Sequence, residues 1–532
     1  MFAGAAHGPD FGDEFPLAFV GEATHPPGMN DAKRQDRGAG PIASLGLLAL
    51  VALLVRAQGF GNPVTGFDEQ FYLLVGDRML QGALPYVDIF DRKPIGLFLL
   101  YAGARSLGGD GFLAYKLVAT GFVVATAYGI QRIARRFAGP VAALGAAILY
   151  ILWLNLMEGE GGQSPVFYNA LVLVAASLVL CAVERRGGLF ACGAGAMAAI
   201  GVALQIKYAV LPEGFAFGCI LLWLGYRARA PLVRLAGMAL VWVALALLPT
   251  LVAWGAYAAM GQSEAWIFAN FLSLGGQAAR PLATELEGLA ACIGILAPLG
   301  LVIALGRPWR HVAPERRDGF GFLLVWLAVT VVAVLLYGRF GSPHYAMPIV
   351  LPATIVAAPA LARWRRGWLL ALIAVIALAG QVVLALSERA KGGADEARAV
   401  ARAATPGRGC LYVYDGYPAL YMLTHSCLPS KWVFPGHLNT QDEASAAALG
   451  TDPVAEIRRI LARHPGAIVD DYPRFAFGNP ATRAVLREAL ARDYHLAACV
   501  PTGPSRVRLV YRPGPGPVPA SCPSASALAA MP

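Results

Sequence analysis

Two groups of charged side chains stand close together in a sequence that is otherwise rich in apolar segments. The first is the acidic pair Asp68-Glu69, and the second, DIFDRKP at 88–94, ends in Lys93-Pro94. A carboxylate at an apolar border gains basicity and can deprotonate an incoming hydroxyl group. A lysine ammonium can stabilise the negative charge that develops on a departing phosphate. The predicted catalytic residues are therefore Asp68 and Glu69, with Lys93 as a phosphate ligand.

Simpler structural roles exist for both of these groups. Apolar residues at 71, 74, 75 and 79 have helical spacing, which places Asp68 at the N-cap of a helix, where its side chain would accept hydrogen bonds from the first turn. The cap and the catalytic role are compatible, because a cap also fixes the position of a side chain. Lys93 has an alternative role as an interfacial lysine that reaches lipid headgroups.

Further candidate phosphate ligands follow later in the chain. Lys207 lies between two apolar segments, where an ionisable group is a functional candidate by default and a snorkelling lysine is the alternative. Arg339 and His344 flank a Gly-Ser-Pro turn, and an arginine fork suits a phosphate, although an ordinary polar turn has the same composition. The remaining predicted substrate contacts are Tyr72, Asp91, Arg92, Glu158, Glu160 and Tyr345. For the two glutamates, a solvated position in a Gly-rich loop is the simpler interpretation.

The elements that must position these residues are membrane helices. Of the 532 residues 57% are hydrophobic and only 14% are charged, far fewer charges than in soluble domains. The composition predicts a polytopic α-helical membrane protein with about eleven spans. A shorter apolar stretch at 94–107 suits an interfacial or re-entrant helix. The predicted spans lie near 42–55, 112–131, 138–157, 165–183, 188–206, 208–225, 232–258, 286–305, 319–338, 343–362 and 367–386.

Arginines cluster in alternate loops between the predicted spans, at 132–136, 185–186, 227–234, 307–317 and 363–366. By the positive-inside rule these loops face the cytoplasm. The opposite loops hold all the candidate site residues, which therefore converge on the outer face. Topology accounts for much of the net charge of +10, and no dense basic face with interleaved aromatic residues indicates a nucleic-acid partner.

Beyond about residue 386 the apolar pattern gives way to short strand and helix signals, which predict a small α/β domain. An odd number of spans places it outside the plasma (inner) membrane, in the periplasm or its equivalent. Either Met1 or Met29 can serve as the start. The predicted units are a disordered cytoplasmic N-terminus (1–40), a transmembrane domain (41–386) with the outer loop 58–111, and an extracytoplasmic α/β domain with a Pro-rich disordered tail (387–532).

Eight cysteines divide evenly between the apolar segments and the polar C-terminal part. In an oxidising compartment Cys410 can pair with Cys427, and Cys499 with Cys522. The sequence leaves these pairings open against free thiols.

The first outer loop carries a recognisable combination of motifs. Asp68-Glu69 after a single span, followed by PYxDxFDxKP at 85–94, resembles the C-type superfamily of membrane glycosyltransferases. The nearer relatives are the protein O-mannosyltransferases and the lipid A aminoarabinose transferases. QIKY at 205–208 and HYAMP at 344–348 resemble the donor-phosphate region of the family. The resemblance covers 41–386 as architecture, and it implies a lipid-phosphate sugar donor and an acidic general base in the first outer loop.

The chain departs from this pattern at one position. The aminoarabinose transferases carry an acidic residue immediately before the lysine of their Lys-Pro pair, where this chain has Arg92, with Asp91 one place earlier. A metal site attributed to that acidic position is therefore not carried over. The participation of a divalent metal stays open, and no other cofactor is indicated.

These features predict an inverting glycosyltransferase of the cell envelope. It would move a sugar from a polyprenyl-phosphate donor in the bilayer to an extracytoplasmic acceptor, which is a glycan, a lipid or a protein. A flippase or transporter of a lipid-linked or amphipathic substrate is the alternative, although no repeated halves are visible. A polymerase that joins lipid-linked oligosaccharides would share the compartment and the substrates.

Overall fold

The computed structural model of the chain describes residues 40–185, 188–520 and 522. The predicted disorder of residues 1–40 and of the extreme C-terminal tail therefore falls almost entirely outside the described residues.

Apolar helices make up most of the chain between residues 41 and 391. Two of them begin with a proline at the first position, where the missing N–H costs no hydrogen bond. The helices are α1 (Pro41–Arg56), α2 (Phe67–Leu80), α3 (Ile95–Arg105), α4 (Phe112–Ala134), α5 (Pro140–Leu154), α6 (Ser164–Arg185), α7 (Leu189–Leu204), α8 (Leu211–Arg227), α9 (Leu232–Ala259), α10 (Ser263–Ile267), α11 (Leu282–Gly306), α12 (Arg317–Tyr337), α13 (Val350–Leu361) and α14 (Arg366–Lys391).

All eleven predicted spans coincide with helices of the structure. Within the described residues, eight helices are long and apolar enough to cross a membrane, and α5, α7 and α13 are shorter apolar helices. Helix α3 has 11 residues and rises by roughly 16 Å, too little to span a hydrocarbon core of about 30 Å. This agrees with the short interfacial or re-entrant helix that the glycines predicted.

Helix α13 lies at the centre of the membrane part. All 12 of its residues are buried, and it packs against α5, α11 and α12. Its alanines permit close approach of neighbouring helices. In a bilayer, where the lipid is as apolar as the protein, such close packing is what drives helices to associate. This core fixes the outer ends of the surrounding helices, from which the site residues project.

The C-terminal part forms a small α/β domain, as predicted. Its sheet has the order β1-β2-β4-β3, in which β1 and β2 are parallel and the other two pairs are antiparallel. Asp452 caps a helix, accepting hydrogen bonds from the backbone N–H groups of residues 454 and 455. The elements are α15 (Ala394–Ala404), β1 (Leu411–Val413), α16 (Leu420–Leu423), α17 (Pro435–Asn439), α18 (Ala446–Leu449), α19 (Pro453–Ala462), β2 (Ala467–Tyr472), α20 (Pro480–Asp493), β3 (Tyr494–Gly503) and β4 (Arg506–Pro513).

Both cysteine pairs that the sequence left open are disulfides in the structure. Cys410 is bonded to Cys427, and Cys499 to Cys522. Disulfides persist in oxidising compartments.

The first outer loop is fastened to the C-terminal domain. The guanidinium of Arg92 donates to both oxygens of Glu443 at 2.7 and 2.6 Å, and the backbone N–H of Phe90 donates to the carbonyl of Lys431 at 2.9 Å. On α2, Phe71 packs against Phe434 with ring centroids 5.1 Å apart. The C-terminal domain therefore forms a wall beside the loop.

Candidate active site

A cavity of about 1520 Å³ lies between the ends of several membrane helices and the C-terminal domain. Eleven of the twelve site residues predicted from the sequence line this cavity, and Glu69 does not. The eleven are Asp68, Tyr72, Asp91, Arg92, Lys93, Glu158, Glu160, Lys207, Arg339, His344 and Tyr345.

Asp68 enters the cavity from the first turn of α2. The N-cap prediction for Asp68 is wrong, because the N-cap is Gly66 and no side chain caps this helix. Gly66 has φ +69°, a backbone conformation that glycine adopts without strain, so the helix begins two residues earlier than the pattern suggested. Asp68 is the second helical residue, and its side chain is free to face the cavity.

The electrostatic setting of Asp68 differs from the sequence-based expectation. Burial alone would raise the pKa of its carboxyl group, as predicted, but the nearby charges of Lys93, His344 and Lys207 outweigh burial and lower it. A hydrogen bond from the Gln163 side chain acts in the same direction. Asp68 is therefore an ionised carboxylate at neutral pH.

Glu69 points away from the cavity and is fully buried. Burial first, and then repulsion by Glu160, raises its pKa to about 8. Its carboxyl group packs against Gly66 and Gly161, at positions that a Cβ atom would occupy. This placement gives Glu69 no direct access to a substrate in the cavity.

Lys93 is the cation nearest to the acidic residues of the loop. Its Nζ lies 3.9 Å from Oδ1 of Asp91 and 5.7 Å from the centre of the Tyr72 ring. Burial alone would lower the pKa of Lys93, but Asp91 and Asp68 raise it above its ordinary value. Lys93 therefore stays protonated.

A close approach between two backbones brings Lys207 toward Lys93. Gly96, in the first turn of α3, packs directly on Gln205, where a Cβ atom would lie 2.7 Å from the Gln205 carbonyl oxygen. The N–H of Leu97 donates to the same oxygen at 3.1 Å. This contact joins α3 to the segment after α7 and draws the two lysines to the same side of the cavity.

Lys207 is held among aromatic rings. Its Nζ lies 4.4 Å from the ring centre of Tyr345 and 5.9 Å from that of Tyr337. Burial, followed by repulsion from Lys93, lowers its pKa to about 7. Lys93 is thus close enough to disfavour the charge of Lys207, which suits an anionic phosphate between them.

His344 and Arg339 reach the cavity from the turn between α12 and α13. Nδ1 of His344 lies 2.8 Å from Oε2 of Glu158, and its ring packs on Tyr345. Arg339 donates to the side-chain oxygen of Gln277 at 3.2 Å. The turn itself is fixed because Glu285 accepts the N–H of residue 340 at 2.5 Å.

Arg92 and Asp91 have mostly structural partners. In addition to the bidentate pair with Glu443, Arg92 donates to the Ala448 carbonyl at 2.5 Å and to Ser273 Oγ at 3.2 Å. The guanidinium of Arg92 is thus largely occupied by the protein. Asp91 accepts the N–H of Arg92 at 2.6 Å and lies beside Lys93, so it orients that lysine.

Sequence reasoning missed several polar residues that line the cavity. Gln163 bonds to Asp68, and Asp442 holds Arg280 at 3.0 Å and lies 3.9 Å from Arg339. Asp442 comes from the C-terminal domain, and no local pattern marks it. Within the described residues, no group of three or more His, Cys, Asp or Glu side chains is arranged to hold a metal ion.

The cavity also has an apolar side. It extends along the membrane helices past Ile295 of α11, Val334 of α12 and Leu384 of α14. A ligand that has a polar head and an apolar tail can therefore occupy this one continuous cavity.

No protein-family model and no curated protein sequence matches the chain. Among solved structures, the crystal structure of ArnT from Cupriavidus metallidurans in the apo state matches with a TM-score of 0.61 and 17% identity, over 88% of this chain and 97% of that one. ArnT is a lipid A aminoarabinose transferase of the C-type glycosyltransferase (GT-C) class. The chain has the GT-C fold. The membrane architecture inferred from the first-loop motifs is thereby confirmed, and the protein is a multi-pass membrane protein.

Two further solved structures are similar to this chain. ArnT from the same organism bound to undecaprenyl phosphate matches with a TM-score of 0.60 and 16% identity, over 88% of this chain and 97% of that one. The arabinofuranosyltransferase AftD from Mycobacteria matches with a TM-score of 0.48 and 16% identity, over 90% of this chain and 40% of that one. The GT-C fold of the present chain thus extends over nearly the whole length of ArnT.

Proposed function

We propose that the protein is an inverting membrane glycosyltransferase that takes a sugar from a polyprenyl-phosphate donor. One observation carries the proposal: a carboxylate and a group of cations line a single cavity that continues along apolar helix surfaces. Such a cavity suits a ligand with an apolar tail, an anionic phosphate and a polar head. The likeness to ArnT, which has been crystallised with undecaprenyl phosphate, supports this choice of donor.

In the proposed complex the donor phosphate lies among Lys93, Lys207, Arg339 and His344, and the lipid tail lies along α11 and α12. An acceptor hydroxyl attacks the anomeric carbon from the side opposite the phosphate. The new glycosidic bond forms as the bond between the anomeric carbon and the phosphate oxygen breaks. The configuration therefore inverts, and the electron pair of the broken bond leaves with the lipid phosphate, where the cations stabilise it.

Asp68 accepts the proton of the attacking hydroxyl. The neighbouring cations lower the pKa of its carboxyl group, which makes it a weak base. A bound donor phosphate partly neutralises Lys93 and Lys207 and so raises the pKa of Asp68 again. Donor binding would thus prepare the base, and the acceptor would be deprotonated only when a donor is present.

The active side of the protein is the outer face. Two disulfides in the C-terminal domain, which shares the cavity, suit an oxidising compartment, and the positive-inside rule predicts that the arginine-rich loops are cytoplasmic. A lipid-phosphate donor is consistent with a compartment that has no soluble nucleotide sugars.

The variant Asp68→Asn tests the base. We expect it to fold normally and to lose transfer from a polyprenyl-phosphate sugar by about 100-fold or more, the usual contribution of general base catalysis. The matched control is Asp88→Asn in the same loop, because Asp88 is exposed and its oxygen only accepts the N–H of residue 84. Its activity should stay at the wild-type level.

The reaction is measured as release of polyprenyl phosphate from a labelled donor. Near-normal turnover of Asp68→Asn would remove Asp68 from the role of base. Vectorial movement of the intact donor across a vesicle membrane, without cleavage, would instead favour the flippase or transporter.

A further inference from the structure

The large cavity has a second polar region, which the C-terminal domain contributes. We define this C-terminal lobe by Asp415, Tyr417, Asp471, Arg506 and Arg508, all of which line the cavity. Asp415 follows β1, and Asp471 lies near the end of β2. The carboxyl ends of neighbouring parallel strands are a common place for ligands in α/β domains.

The volume of the cavity calls for more than one ligand. Pockets for single small molecules measure about 300 to 1,000 Å³. The present cavity of about 1520 Å³ is larger, and its walls include the whole C-terminal lobe as well as the cation group around Lys93. A glycosyltransferase must hold a donor and an acceptor together, and the proposed donor accounts for only one end of this space.

Two polar groups of the lobe have unused hydrogen-bonding capacity. Among the described residues, Oδ2 of Asp415 and Nε of Arg508 have no hydrogen-bond partner, and both atoms are buried. Arg508 is 4% exposed. Leaving such groups unpaired costs free energy, so a ligand that pairs with them gains affinity.

The charges of the lobe are balanced. Oδ2 of Asp471 lies 2.7 Å from Nη1 of Arg508 and 3.4 Å from Nε of Arg506, and Asp415 supplies a second carboxyl group. Burial, followed by repulsion from Asp471 and Asp470, raises the pKa of Asp415 to about 7. At neutral pH its carboxyl group can therefore either accept or donate a hydrogen bond.

The lobe differs from the donor end, where the amino groups of Lys93 and Lys207 lie on the same side of the cavity and can flank a phosphate. Carboxyl and guanidinium groups side by side suit hydroxyl groups, each of which both donates and accepts. A phosphate-bearing ligand would meet the two carboxyl groups unfavourably. Phe475, which is 52% exposed and also lines the cavity, offers an aromatic surface for the apolar face of a sugar ring.

We infer that the C-terminal lobe is the acceptor subsite and that it takes a neutral, polyhydroxylated acceptor, namely the sugar residues of a glycan. The inference rests on the proposed function, because the subsite is defined relative to the donor end. Asp415 and Arg508 pair with acceptor hydroxyl groups, and Phe475 supports the ring. The C-terminal domain thereby does more than shield the site.

The full-length protein in lipid nanodiscs is tested with two independent probes. Binding of undecaprenyl phosphate reports on the donor end, and binding of a panel of neutral and phosphorylated oligosaccharides reports on the lobe. Asp415→Ala removes an oxygen that has no internal partner, and Arg508→Gln shortens the guanidinium. We expect both variants to weaken binding of the neutral oligosaccharides by about tenfold or more and to leave undecaprenyl phosphate binding unchanged.

The matched control is Asp470→Asn. Asp470 precedes Asp471, is equally buried, pairs with Arg483 at 2.5 Å and does not line the cavity. This variant should lower thermal stability without changing oligosaccharide affinity. Thermal unfolding of every variant separates a loss of folding from a loss of binding.

Each outcome has a defined meaning. Unchanged affinity for neutral oligosaccharides in Asp415→Ala, no binding of any neutral member by the wild type, or preference for phosphorylated members would overturn the acceptor subsite. A wild-type protein that binds neutral oligosaccharides but not undecaprenyl phosphate would retain the lobe and refute the proposed donor. The two proposals therefore fail separately.

Discussion

At the residue scale, the site is governed by charges that depend on one another. Asp68 and Lys93 each shift the pKa of the other toward the charged form, whereas Lys93 lowers the pKa of Lys207. The positive charge of Lys93 therefore destabilises a protonated Lys207, and a bound anion would offset this repulsion. This arrangement favours binding of a phosphate over a neutral ligand at the donor end.

Lys207 provides a pH-dependent test of the donor site. Its pKa of about 7 means that the free protein loses the Lys207 proton as the pH rises through 7. A bound phosphate stabilises the protonated form, so binding at pH 8 should take up a proton. We expect the affinity for undecaprenyl phosphate to fall by up to about tenfold per pH unit above pH 7, the limit for linkage to one proton. Titration calorimetry in buffers of different ionisation enthalpy measures the uptake.

The control for this prediction is Lys207→Arg, whose guanidinium stays protonated throughout the range. The variant should bind undecaprenyl phosphate without proton uptake and with an affinity that changes little between pH 7 and 9. Equal proton uptake in the wild type and in Lys207→Arg would show that another group titrates.

At the scale of elements, the site depends on a short helix that does not cross the membrane. Helix α3 begins directly after Lys93-Pro94, and Gly96 lets it rest on the backbone of Gln205, two residues before Lys207. The distance between the two lysines is therefore set by a backbone contact and not by their own side chains.

Gly96→Ala tests this contact. The added Cβ atom would lie 2.7 Å from the Gln205 carbonyl oxygen, so α3 must shift and carry Lys93 with it. We expect the affinity for undecaprenyl phosphate to fall by roughly tenfold and the melting temperature to decrease, although the substituted residue touches no ligand.

Gly103→Ala on the same helix is the matched control, because nothing lies within 4 Å of its added Cβ atom. Alanine has a higher helix propensity than glycine, by about 1 kcal/mol, so this variant should be as stable as the wild type or more stable. Wild-type donor affinity in Gly96→Ala would show that the backbone contact does not set the lysine positions.

At the scale of the whole molecule, membrane orientation and disulfide formation must agree. The arginine-rich loops predict a cytoplasmic side opposite the C-terminal domain, and that domain contains Cys410–Cys427 and Cys499–Cys522. We expect a membrane-impermeant thiol reagent, added to intact cells after reduction, to label cysteines of the C-terminal domain. A cysteine introduced at Arg310, in an arginine-rich loop, should react only after the membrane is permeabilised.

The opposite labelling pattern would show the reverse orientation and place the cavity on the cytoplasmic side.

In the native protein, the disulfide that closes the 17-residue separation between Cys410 and Cys427 should stabilise the domain by about 3 kcal/mol. Reduction should therefore lower the melting temperature of the C-terminal domain. This measurement is made on the same samples.

Much of the fold could be predicted because long apolar segments leave the chain few options. A run of about 20 apolar residues must form a helix in a bilayer, since its backbone groups have no other partners there. All the predicted spans were therefore found, including short ones such as α5. In the C-terminal domain, by contrast, the sequence of β3, YHLAACVPTG, gives a weak strand signal, because it has neither clean alternation nor strand-forming residues throughout.

The sequence by itself determined the membrane helices, the presence of a small C-terminal α/β domain and eleven of the residues that line the cavity, because hydropathy and charge act locally along the chain. Only the tertiary structure decided that Glu69 faces away, that Arg92 is occupied by Glu443 and that cations lower the pKa of Asp68. It alone brought the C-terminal lobe to the same cavity. These features depend on tertiary contacts, such as the one between Arg92 and Glu443, and no local pattern records such contacts.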